Sequence, residues 1–78
     1  MSNKMVDIIM HIDEETSHEE REDLRDTLLN MPGVMAASCR DKHRHLMVIE
    51  YDPDSINPKE FVTAAEHRGY HSELIAML

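Results

Sequence analysis

The sequence predicts a small α+β domain, in which a four-stranded antiparallel sheet carries two helices on one of its faces in the order β-α-β-β-α-β. Three observations support this class. Apolar residues alternate in the first strand segment, two segments have helix-start signals followed by apolar residues at helical spacing, and a polar stretch separates two adjacent strand-like runs. Right-handed crossovers bring such strands into one sheet. With 78 residues, the chain is expected to form a single domain over 1–78.

The first strand and the first helix are predicted from local patterns. Residues 5–12 alternate between apolar and mixed positions, with Val6, Ile8, Met10 and Ile12 on the apolar side. Ser17 and Glu20 have the spacing of a capping box, in which each side chain accepts a hydrogen bond from the other residue's backbone N–H. A helix is therefore expected to begin here and to end before Pro32 and Gly33.

The other elements are predicted from residue type and turn signals. The expected bounds are 34–39 for the second strand, 40–45 for a hairpin loop, 46–51 for the third strand and 70–75 for the fourth. Asn57 and Pro58 provide a cap and a first helical residue for the second helix, which Gly69 ends. This topology brings the β1–α1 loop, the β2–β3 hairpin and the α2–β4 turn to one end of the molecule.

Composition narrows the function classes. The formal net charge of -8 disfavours nucleic acid, because sequence-independent binding to phosphates depends on Lys and Arg. A cation or a protein partner suits the charge better. With one cysteine and no signal-peptide or membrane-span pattern, the chain is expected to be soluble and cytoplasmic and to contact no membrane. No catalytic triad, Cys-His pair or glycine-rich phosphate loop is present in the sequence, so an enzyme is not expected.

Several short motifs resemble those of heavy-metal-associated domains, the ferredoxin-like fold of copper chaperones. In chain order they are Met31-Pro32-Gly33-Val34, Glu50-Tyr51-Asp52-Pro53, Ala64-Ala65-Glu66 and Gly69-Tyr70. The metal loop of that family reads Met-Thr-Cys-x-x-Cys. In this chain Ser17 and Glu20 stand at the two cysteine positions, and Arg21 follows where an apolar residue is usual. The chain therefore resembles a degenerate member of the family, without thiolates to select Cu(I).

Two functions follow from this altered loop. The first is metal handling or trafficking through imidazole and carboxylate ligands, which suit Zn(II), Ni(II), Co(II) or Cu(II). The predicted ligands are Glu14, Glu15, His18 and Glu20 near the first helix start and His67 and His71 near the α2–β4 turn.

The second function is a metal-free protein-protein interaction or regulatory domain, with a protein partner or a second copy in a homodimer. In that case Ser17 and Glu20 act only as a helix cap. His11 then has a packing role, and the pair His43 and His45 lies solvated on the hairpin. Three of the seven methionines, Met10, Met31 and Met47, are expected to fill the core.

Overall fold

Four strands and two helices make up the fold in the computed structural model, which describes residues 4–77. In chain order they are β1 (Val6–Ile12), α1 (His18–Leu29), β2 (Val34–Arg40), β3 (His43–Tyr51), α2 (Lys59–His67) and β4 (Ser72–Met77). The predicted order of elements is confirmed. No helix within residues 4–77 has the length and apolar character needed to cross a membrane.

The strands form one antiparallel sheet in the order β2-β3-β1-β4. β1 lies in the middle and pairs with β3 on one side and β4 on the other. Its pairing with β4 shifts register between Ile9 and Met10, which sets His11 opposite Glu73. β2 and β4 are the edge strands, as the topology predicts.

The hydrophobic core lies between one face of the sheet and both helices. Alternate residues of β1 and β3 are buried there against apolar side chains of the helices. The core members are Ile8, Met10, Ile12, Leu24, Leu28, Met47, Ile49, Tyr51, Ile56, Phe61 and Ala65. Tyr51 and Phe61 pack edge to face with ring centroids 5.2 Å apart. Within residues 4–77, no helix packs on the opposite face of the sheet, which carries Ile9 and His11.

Local signals explain how the helices begin and end. Asn57 Oδ1 accepts the N–H of Lys59 at 2.9 Å at the start of α2. Gly69, in the left-handed region at φ 85°, directly follows the C-cap residue Arg68 of α2, whereas Gly33, at φ 95°, lies in the turn between the C-cap of α1 and β2. The turn at Gly69 leads the chain into β4 on the side of the molecule where α1 begins.

The largest differences from the predicted strand bounds are in β3 and β4. β3 begins at His43, so the hairpin turn is only 41–42, not 40–45. β4 occupies Ser72–Met77, not 70–75. β4 begins later than predicted because the Tyr70 N–H bonds to the Ala65 oxygen at 3.0 Å, in the turn that ends α2. At the start of β3, the strand positions hold the polar residues His43, Arg44 and His45. Ladder hydrogen bonds are made by the backbone, so such residues join a strand without the apolar pattern by which strands are predicted.

Candidate functional site

The three connections predicted to lie together do meet at one end of the molecule. They are the β1–α1 loop (13–17), the β2–β3 turn (41–42) and the α2–β4 turn (68–71). With the first turn of α1 they form a region that we call the loop end. Its parts are joined by side chains, since Asp41 bonds to Arg21 and Tyr70 bonds to Glu20 across it.

The first turn of α1 is closed by the predicted capping box. Ser17 Oγ accepts the N–H of Glu20 at 3.1 Å, and Glu20 Oε1 accepts the N–H of Ser17 at 2.8 Å. Glu20 Oε2 accepts a hydrogen bond from the Tyr70 hydroxyl at 3.2 Å. The Ser17 N–H, followed by the Tyr70 hydroxyl, holds the pKa of Glu20 below its usual value. Both residues at the cysteine positions therefore already have partners within the protein.

Arg21 is a buried charged residue beside this loop, with its side chain 3% exposed. One guanidinium nitrogen, Nη1, donates to the backbone oxygen of Thr16 at 2.5 Å, and the other, Nη2, donates to Asp41 Oδ1 at 2.6 Å. Thr16 is itself buried, whereas Asp41 is 71% exposed. Arg21 thus ties the β1–α1 loop to the hairpin turn, at the position where the family resemblance implies an apolar residue.

His18 has a carboxylate near each ring nitrogen. Its Nδ1 lies 3.0 Å from Asp41 Oδ1 and its Nε2 lies 3.3 Å from Glu22 Oε2. The hydrogen bond to Asp41 raises the pKa of His18. The same bond, and then the bond from Arg21, lowers the pKa of Asp41. These contacts favour the protonated imidazole, so a metal that binds His18 must displace a ring proton.

Glu14 and His71 form a second pair across the loop end. His71 Nδ1 lies 2.5 Å from Glu14 Oε2, and the His71 backbone N–H donates to Glu14 Oε1 at 2.8 Å. The side-chain hydrogen bond lowers the pKa of Glu14 and raises the pKa of His71. The pair joins the start of the β1–α1 loop to the start of β4.

Glu15 and His67 lie apart from these pairs. Glu15 is 75% exposed, with its carboxylate 3.7 Å from Arg44 Nη1 and 3.6 Å from His45 Nε2. His67 ends α2 and lines a groove between the helices with Thr27. Anywhere in residues 4–77, no three of the six predicted ligands have donor atoms within 4.8 Å of one another. Metal binding by these six residues stays a prediction.

A different group of potential ligands comes together on β1. Donor atoms of His11, Asp13 and Glu73 lie within 4.8 Å of one another, the one such group within the part of the chain that the structure describes. His11 and Asp13 are two residues apart on extended chain and so share a side, and Glu73 lies opposite His11 on β4. His11 is predicted from the sequence to have only a packing role, although its spacing from Asp13 is a signal for the first pair. Glu73 depends on the shifted register of β4, which no sequence signal announces.

Comparison with known proteins identifies the fold but no close relative. No family model matches the sequence, and no curated protein matches it. The N-terminal domain of a potential copper-translocating P-type ATPase from Bacillus subtilis superposes with a TM-score of 0.86 at 17% identity, over 96% of this chain and 92% of that one. The fold is that of a heavy-metal-associated domain.

Two further solved structures agree with this fold assignment. Oxidized MerP from Ralstonia metallidurans CH34 gives a TM-score of 0.82 at 14% identity, over 94% of this chain and 100% of that one. The copper chaperone of Enterococcus hirae gives a TM-score of 0.77 at 16% identity, over 87% of this chain and 98% of that one. In this heavy-metal-associated fold the single cysteine is Cys39, which lies half-buried in β2 and not in the β1–α1 loop.

Proposed function

We propose that this chain is a small metal-handling module that uses imidazole and carboxylate ligands, whereas structural neighbours such as the Enterococcus hirae chaperone handle copper. The observation that carries the proposal is the pairing of histidines with carboxylates around the loop end. Four of the six histidines lie 2.5–3.6 Å from a carboxylate oxygen. They are His11, His18, His45 and His71.

Ligand chemistry sets the class of ion. Imidazole with carboxylate suits divalent first-row ions such as Zn(II), Co(II), Ni(II) and Cu(II), whereas Cu(I) is selected by thiolate or thioether. Ser17 and Glu20 stand at the positions of the two cysteines in the metal loop of heavy-metal-associated domains, and they bond to each other. The formal charge of -8 adds a field that attracts cations to the surface. Exposed ligands in open positions favour exchange of the ion over permanent retention.

Isothermal titration calorimetry with Zn(II), Co(II), Ni(II) and Cu(II) tests this function. We expect saturable binding to the unmodified protein, and its loss when all four paired histidines are changed to glutamine. A double variant, His43→Gln with His67→Gln, is the matched control, because these two histidines lie outside the pairs. Absence of binding by the unmodified protein, or equal binding by the fourfold variant, would refute metal handling through histidine.

A metal-free interaction domain is the second candidate, and the polar network of the loop end favours it. The capping box and the bonds of Arg21 to Thr16 and Asp41 hold the loop without an ion. Large apolar side chains are exposed on the edge strands, namely Met35, Ile75 and Met77. NMR of the histidine rings during a Zn(II) titration separates the two candidates, since only the metal-handling module predicts localised ring shifts.

A further inference from the structure

The strongest unassigned group of metal-ligating side chains lies on the open side of the sheet. His11 belongs to β1, Asp13 follows that strand by one residue, and Glu73 lies opposite His11 on the edge strand β4. One imidazole and two carboxylates come within 4.8 Å of one another there. The backbone of each residue is held in or beside the sheet, since the Asp13 N–H donates to the His71 oxygen at 2.8 Å.

The imidazole of His11 has a nitrogen suited to an ion. Its Nδ1 is shielded from solvent and makes no hydrogen bond within the described residues, although Asp13 Oδ1 is 3.2 Å away. A buried polar atom without a partner is costly. If Nδ1 carries no proton, its lone pair faces the lone pairs of the Asp13 carboxylate. A cation placed between the two would satisfy both groups at once.

His45 fixes the ring of His11 in place. The two imidazoles stack with centroids 5.6 Å apart and planes 17° apart. His45 Nδ1 lies 2.7 Å from the backbone oxygen of Ile12. A carbonyl oxygen only accepts, so this nitrogen carries the proton and the ring is oriented by β1. Such outer contacts orient metal-binding side chains in known sites.

We infer that His11, Asp13 and Glu73 bind a divalent first-row cation of the Zn(II) type, with the remaining coordination positions left to water or to a ligand from a partner. The inference rests on the proposed function and locates the ion on the sheet, away from Ser17 and Glu20. One nitrogen and two oxygen ligands with open positions are within the usual ligand set of zinc. His45 is a positioning residue for this site.

Titration of the full chain with Zn(II) alone tests the site, followed by NMR of the ¹⁵N-labelled histidine rings. We expect the largest shifts at His11, smaller ones at His45, and a loss of affinity of about tenfold or more in Glu73→Gln. Glu73 is exposed, so this variant should fold; Glu60→Gln is the matched control, because it removes the same charge from α2. His11→Gln should abolish the shifts at His45.

The outcomes separate this site from the general proposal. If Glu73→Gln and His11→Gln bind Zn(II) as tightly as the unmodified protein, while His18→Gln or His71→Gln loses binding, the sheet site is refuted and the metal-handling function stands. If the unmodified protein does not bind Zn(II), the sheet site is refuted, and the calorimetry with Co(II), Ni(II) and Cu(II) decides whether the metal-handling function stands. Weakening by Glu73→Gln and not by Glu60→Gln supports the site.

Discussion

The capping box gives a direct prediction about how the loop end is held. Changing Ser17 to alanine removes the oxygen that accepts the Glu20 N–H at 3.1 Å, while the bond from the Ser17 N–H to Glu20 Oε1 is retained. Because the exposed Glu20 N–H can then bond to water, the loss is that of one cap. We expect about 1 kcal/mol of destabilisation, within the roughly 0.5–2 kcal/mol typical of such caps. For a domain of this size that corresponds to a fall in Tm of about 4–8 °C.

Thermal and urea unfolding followed by circular dichroism at pH 7 measures this effect. Ser17→Asn is the matched control, because asparagine caps about as well as serine and should preserve stability within about 0.5 kcal/mol. Both measurements should be unchanged by a metal chelator, since the cap needs no ion. The reasoning is refuted if Ser17→Ala is as stable as the unmodified protein, or if Ser17→Asn is destabilised equally.

Three further predictions concern the buried arginine, pH and the glycines. Arg21→Met should be about 1–2 kcal/mol less stable than the unmodified protein, because the exposed Asp41 is rehydrated but the buried backbone oxygen of Thr16 loses its donor. Arg21→Ala should lose about 2 kcal/mol more through lost packing, and equal urea midpoints for the two variants would contradict this. His18 and His71 have raised pKa values in the folded protein, so their protonation stabilises the fold at a pH below 6.5, the ordinary pKa of histidine. This stabilisation is lost as the pH rises through the folded-state pKa values, so Tm should be higher at pH 5.5 than at pH 8. The double variant His18→Gln with His71→Gln should reduce that difference, and an identical difference would count against these pairs. Gly33→Ala should lower the stability in urea more than Gly69→Ala does, because the new Cβ at position 33 would lie 2.9 Å from Ser55 Cβ. At Gly69 nothing lies within 4 Å of the new Cβ, so only the left-handed strain of about 1–2 kcal/mol applies. Equal losses of stability in the two variants would show that the contact with Ser55 relaxes.

The sequence predicts the architecture well because its strongest signals are local. The alternation in β1, the Ser17 and Glu20 spacing and the glycines after each helix each specify one conformation, and the structure contains all of them. The bounds of β3 and β4 were less predictable. Backbone pairing extends β3 through the polar residues 43–45, which carry no apolar pattern, whereas β4 begins late because the Tyr70 N–H bonds to the Ala65 oxygen in the turn that ends α2.

The candidate site depends on contacts between distant parts of the chain. Sequence order brings Glu14 and His71 to the same end, and the structure pairs them. It does not reveal that Arg21 is buried against Asp41, because an arginine in a hydrophilic helical turn is usually solvated. Nor does it place Glu73 beside His11, since one residue of register shift would move Glu73 to the other face of the sheet.

We propose that this heavy-metal-associated fold binds metal through imidazole and carboxylate ligands in place of thiolates. The most direct measurement places the protein in parallel competition assays, one with a Cu(I) chelator and one with a Zn(II) chelator, while the histidine ring signals are followed by NMR. The account predicts that the protein withdraws Zn(II) with shifts centred on His11 and leaves Cu(I) with its chelator. Withdrawal of Cu(I), with histidine signals that do not respond to Zn(II), would contradict it.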